Sequence, residues 1–65
     1  METKIQELRK ANTISQAELA DKMEVTRQTI ISLGKGRYNA SLELAFKIAR
    51  YFGKTIEGVF IFEED

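Results

Sequence analysis

The sequence predicts an all-α domain, a compact bundle of five short helices with one short strand allowed at the C-terminal end. Three observations carry that reading. Apolar residues recur at helical spacing, most regularly from Leu42 to Phe52. A residue able to cap a helix start (Ser15, Thr26, Ser41 or Thr55) stands ahead of every helical stretch after the first. The chain has no proline, and Gly34, Gly36 and Gly53 fall where helices should stop.

Taken in order, Lys4 to Ala11 forms a first amphipathic helix, with Ile5, Leu8 and Ala11 or Asn12 at spacings of three and four and with Arg9 and Lys10 near its C-terminal end. Asn12-Thr13 ends it. Ser15-Gln16-Ala17-Glu18 has the spacing of a capping box, in which the serine hydroxyl takes an orphan N–H and the glutamate reaches back. The helix it opens, Gln16 to Lys22, carries Ala17, Leu19, Ala20 and Met23 as an apolar stripe, small enough for another helix to approach closely. Met23-Glu24-Val25 makes a turn, and Thr26 caps a third helix with Thr29, Ile30 and Leu33 inward and Arg27, Gln28, Ile31 and Ser32 outward.

Gly34-Lys35-Gly36 stops that helix, since glycine costs about 1 kcal/mol relative to alanine in a helix interior. After a loop, Ser41 opens the fourth and most regular helix, with Leu42, Leu44, Ala45, Ile48, Ala49 and Phe52 as its apolar positions and Gly53 as a left-handed cap. Thr55 caps a last short turn through Phe60, with Ile56, Val59 and Phe60 inward. The terminal Val59-Phe60-Ile61-Phe62 is β-prone and apolar, which calls for a partner surface.

A chain of 65 residues is read as one domain, 1–65, near the size below which a lone apolar core needs help, so a second subunit is expected. The sequence holds no cysteine and no histidine, which removes disulfides, thiolate zinc sites and imidazole-based catalysis. No phosphate-cradling glycine loop or metal-ligand cluster is visible, so the reading is not an enzyme, with no cofactor and no metal. Neither a signal peptide nor a run of ~18 apolar residues occurs, giving a cytoplasmic, nucleoid-associated protein with no membrane contact and no small-molecule ligand domain.

The formal net charge is zero. That would argue against a nucleic-acid partner, because cations supply most non-specific binding. The distribution answers the objection. Arg27, Lys35 and Arg37 lie between Thr26 and Ser41 with no acidic residue among them, while Glu57, Glu63, Glu64 and Asp65 follow Lys54 with no basic one. Two short helices joined by a tight turn and buttressed by a longer one form a helix-turn-helix. The first residues of the second helix then reach base edges in the major groove of duplex DNA.

Ile14-Ser15-Gln16-Ala17-Glu18-Leu19-Ala20, Val25-Thr26-Arg27-Gln28-Thr29-Ile30, Lys35-Gly36-Arg37-Tyr38-Asn39 and Ser41-Leu42-Glu43-Leu44-Ala45 together resemble the lambda-repressor-like, xenobiotic-response-element type helix-turn-helix regulators. In build the chain is similar to the short stand-alone, cytolysin-repressor-like members. The resemblance implies a homodimeric repressor that places its third helix in the major groove of a near-palindromic operator. It assigns Arg27 and Gln28 to bases, with Ile31 and Ser32 one turn further in. Arginine can bind guanine and glutamine can bind adenine bidentately, and an apolar side chain can meet a thymine methyl. Gln16, Thr26, Lys35, Arg37, Tyr38 and Asn39 would hold phosphates.

Several of these residues have a second reading. Arg27 could meet only phosphate, Tyr38 could close the core against the fourth helix, and Gln16 and Thr26 could be plain helix-start residues. Val59, Phe60, Ile61 and Phe62 are the expected dimer contact, as an antiparallel strand pair between subunits. A competing function is a protein-interaction module or antitoxin-like subunit with secondary DNA affinity, and a regulatory protein partner is compatible with both.

The chain departs from the family pattern at Glu24, where glycine is usual, at Ala40, where proline is usual, and at Ile31, often small and polar. It also departs at Gly34, where the family commonly has a glutamate paired with an arginine corresponding to Arg9. Arg9 is therefore expected to turn to solvent or find another acid, and Gly34→Glu to raise stability.

Overall fold

The computed structural model describes residues 2–36 and 40–61. In chain order the elements are β1 (Glu2–Thr3), α1 (Ile5–Ala11), α2 (Gln16–Met23), α3 (Arg27–Gly34), α4 (Leu42–Tyr51), α5 (Ile56–Val59) and β2 (Phe60–Ile61). The five expected helices are present, and the addition is a small antiparallel sheet in which Glu2 faces Ile61 and Thr3 faces Phe60.

The caps explain the helix starts. Ser15 and Glu18 form the full capping box: the Glu18 N–H donates to Ser15 Oγ at 3.1 Å and the Ser15 N–H to Glu18 Oε1 at 3.2 Å. Thr26, Ser41 and Thr55 accept from the N–H groups of Thr29, Leu44 and Gly58, satisfying donors that have no partner inside their helices. At the far end of α4, Gly53 takes φ +68° and the Lys54 N–H closes onto the Ala49 carbonyl at 2.8 Å, the left-handed stop expected there.

The core is built from Ile5, Ile14, Leu19, Ile30, Leu33, Ile48, Val59 and Phe60, joined by small or flexible residues such as Ala20, Ala49 and Met23. It differs from the periodic reading at several positions, beginning with Ala11 and Asn12, which are both exposed. Ala17 is exposed, so the buried stripe of α2 is Leu19, Ala20 and Met23. Leu42 is 78% exposed, whereas Leu44 and Ala45 in the same turn are buried. Thr29 is half-buried and its hydroxyl lies 3.0 Å from that of Thr26, at the helix cap.

The C-terminal segment expected between subunits also packs within its own chain. Val59 is 0% and Phe60 2% exposed, both inside the core of their own chain. Their strand partner is the N-terminal Glu2–Thr3, and the Lys4 N–H adds a bond to the Val59 carbonyl at 2.8 Å. Val59 and Phe60 thus find a partner surface within the chain. Ile61 is half-buried, and Phe62 lies outside the described residues.

The third helix stops within Gly34-Lys35-Gly36, as expected. Gly34 is the last residue of α3, and the chain turns at Gly36, which takes φ +70°. Arg9 is half-buried, and among the described residues it pairs with no acid. Its Nη1 donates to the Ile14 carbonyl at 3.0 Å, stapling the turn between α1 and α2. A Cβ added at Gly34 would lie 3.3 Å from the Nε2 and 3.4 Å from the Cγ of Gln6, an exposed side chain that can swing away. Gly34→Ala is therefore expected to stabilise the protein by about 0.5–1 kcal/mol. Gly34→Glu should gain less, because its carboxylate sits at the negative end of the α3 dipole and Arg9 is already engaged. Thermal melts of both variants check the order; an alanine variant that melts lower would refute it.

Candidate nucleic-acid interface

Thr26 and the turn before it aim α3. Glu24 occupies the left-handed region at φ +60°, a conformation that costs a side-chain-bearing residue about 1 kcal/mol or more, and the Val25 N–H returns to the Ala20 carbonyl at 3.0 Å. Thr26, extended at φ −77° and ψ 155°, then starts the helix. Ile30 and Leu33, 1% and 0% exposed, fix its inner face. Its first turn projects outward with no acidic residue, and both Arg27 and Gln28 are exposed.

Gln28 Nε2 lies 3.4 Å from Ser32 Oγ, one turn along the same face, so its amide rests along the helix surface. Ile31 and Ser32 are half-buried, set deeper than the first-turn pair. Thr26 is exposed with its hydroxyl occupied as the cap, which gives it the helix-start role. Gln16 opens α2 directly after the capping box and is half-buried. Lys35 is exposed at the end of α3. The phosphate assignments to Arg37, Tyr38 and Asn39 lie outside the described residues.

One residue absent from the sequence reading belongs to the supporting structure. Lys47 on α4 donates to the Met23 carbonyl at 3.2 Å and approaches the Glu24 carboxylate at 3.8 Å. Nothing in the local sequence marks it, because its partners come from the turn between α2 and α3, far away along the chain. Elsewhere the surface carries Leu42, Phe46 and Tyr51 as exposed large apolar side chains, with the Arg50 guanidinium 5.5 Å from the Phe46 ring centre. Among the described residues, no group of three or more His, Cys, Asp or Glu side chains is placed to hold a metal ion, and no helix is long and apolar enough to cross a membrane.

The arrangement is a helix held rigidly from behind with a polar, acid-free first turn facing out, which suits insertion into the major groove. Comparison with known proteins agrees. The helix-turn-helix family model matches residues 5–59. An HTH-type transcriptional regulator of Methanocaldococcus jannaschii is 49% identical over 65 residues, covering 100% of this chain and 98% of its own. One of Methanothermobacter thermautotrophicus is 54% identical over 66 residues, covering 100% and 96%. The HTH-type regulator YgzD of Bacillus subtilis is 43% identical, covering 100% and 98%. In the crystal structure of the clp gene regulator ClgR from Corynebacterium glutamicum, 80% of this chain superposes with a TM-score of 0.73 at 23% identity, and the chain spans about half (55%) of that one, a likeness of fold. Capping pattern, helix order and these relatives together identify the chain as a member of the lambda-repressor-like helix-turn-helix family of transcriptional regulators, a family of DNA-binding proteins and not an enzyme class.

Proposed function

We propose that this regulator is a cytoplasmic, sequence-specific repressor that binds near-palindromic duplex DNA as a homodimer. Its two α3 helices would enter successive major grooves about 34 Å apart. The observation that carries the reading is the exposed first turn of α3, with Arg27 and Gln28 free to reach base edges while Ile30 and Leu33 hold the helix. Gln28 reads adenine, Arg27 reads guanine, and Ile31 and Ser32 line the groove behind them. Gln16 and Lys35 meet phosphate, joined by Arg37, Tyr38 and Asn39.

Selection from random duplexes tests this. Wild-type protein should yield a two-fold symmetric site, and Gln28→Ala should relax preference at one base pair in each half-site. An unchanged preference would remove Gln28 as a reader.

With Val59 and Phe60 in the core, the contact between protomers falls to Ile61 at the end of β2. Gel filtration at micromolar concentration should show a dimer for the wild type and a monomer for Ile61→Asp. Phe46→Asp, on the exposed face of α4, is the comparison. Loss of the dimer in that variant alone would move the interface to α4.

A further inference from the structure

Among the described residues, one side-chain hydrogen bond joins the end of α2 to α4. The Lys47 ammonium donates to the carbonyl of Met23, the last residue of α2, and lies beside the carboxylate of Glu24, the residue that turns the chain at φ +60°. It thus meets a carbonyl that has no N–H partner in its own helix, at the negative end of the α2 dipole. Only Glu24, Val25 and Thr26 separate α2 from α3, so the direction of α3 depends on that turn. α4 supplies Leu44, Ala45, Ile48 and Ala49 to the core, so it is a fixed reference for the turn.

We propose that Lys47 is a positioning residue for DNA recognition: by clasping the Met23 carbonyl and Glu24, it sets the aim of Arg27 and Gln28 without itself touching DNA. This rests on the DNA-binding reading above. The Lys47 side chain is 37% exposed and that of Glu24 84%, so the ion pair is largely screened and contributes little to stability. What the clasp supplies is geometric. The hydrogen bond to Met23 fixes the last turn of α2 against α4, and a reading head that tilts loses base contacts before it loses phosphate contacts.

The test compares wild type, Lys47→Met and a control, Lys54→Met, whose residue is exposed between α4 and α5. Affinity is measured on the duplex selected by the wild type and on a scrambled duplex, across a range of salt. Lys47→Met should bind the selected duplex about tenfold more weakly, as expected for losing a charge-assisted bond that holds the geometry. Binding to scrambled duplex and the salt slope should stay unchanged, and Lys54→Met should match the wild type on the selected duplex. A slope reduced by about one would make Lys47 a phosphate contact and overturn the proposal. Equal affinity of Lys47→Met and wild type on the selected duplex would do the same.

Amide exchange supplies a readout independent of DNA. In Lys47→Met, the Glu24 and Val25 amides should exchange about tenfold faster while Ile48 in α4 keeps its protection. If wild-type protein binds no duplex, the DNA reading fails on its own, and unchanged exchange at Glu24 and Val25 rejects the clasp. Should Lys47→Met fail to fold, Lys47→Arg and Lys47→Gln replace it. The arginine, which keeps a cation and donors, should then retain selected-site affinity and the glutamine lose it; equal affinities would overturn the proposal.

Discussion

Phe60→Ala is expected to lower the unfolding free energy by about 3–5 kcal/mol, the cost of emptying a fully buried aromatic site. Phe60 is 2% exposed and is among the largest fully buried side chains of the described core. A domain of this size has a total stability of roughly 3–10 kcal/mol, so the variant should lose a large share of it. The destabilisation should be the same in dilute and concentrated samples. A destabilisation relative to wild type that changes with protein concentration would instead place Phe60 between subunits, because association stabilises by mass action. Urea titration at two protein concentrations separates the two cases.

Arg27→Ala is expected to weaken specific DNA binding by about 1–3 kcal/mol while leaving the melting temperature of the free protein unchanged. The side chain is exposed on the first turn of α3, so the core does not depend on it. As a base reader, its loss should relax preference at one base pair in each half-site. Uniform weakening across all duplexes, with the salt slope reduced by about one, would assign Arg27 to phosphate.

The parts of the fold that were legible in the sequence are those set by neighbours along the chain. The box of Ser15 and Glu18, the caps Thr26, Ser41 and Thr55, and the stop at Gly53 each depend on residues within a few positions, and each appears where the spacing places it. Leu42 shows the limit of periodicity: spacing puts it on the apolar side of α4, but only tertiary context decides whether anything covers the first turn. Arg9 was misread for a related reason. Its family partner is absent, and the carbonyl that replaces it belongs to a turn whose shape spacing alone does not give. The strand Glu2–Thr3 is too short to carry an alternating pattern and is defined only by its distant partner. In the proposed interface, the exposed first turn of α3 follows from Ile30 and Leu33 being inward, whereas the reach of Lys47 to Met23 requires the folded chain.

The pairing of Glu2–Thr3 with Phe60–Ile61 joins opposite ends of the chain, and Thr3 Oγ1 also donates to the Leu33 carbonyl at 3.2 Å, near the end of α3. Contacts between such distant residues form late, after the short-range helix pairs that need little loop closure. During synthesis the α2–α3 hairpin can therefore assemble early, but its anchorage through the N-terminal strand must wait for Phe60 and Ile61 to leave the ribosome. A chain truncated before Phe60 would carry α3 without the fastening that the Glu2–Thr3 strand gives its far end.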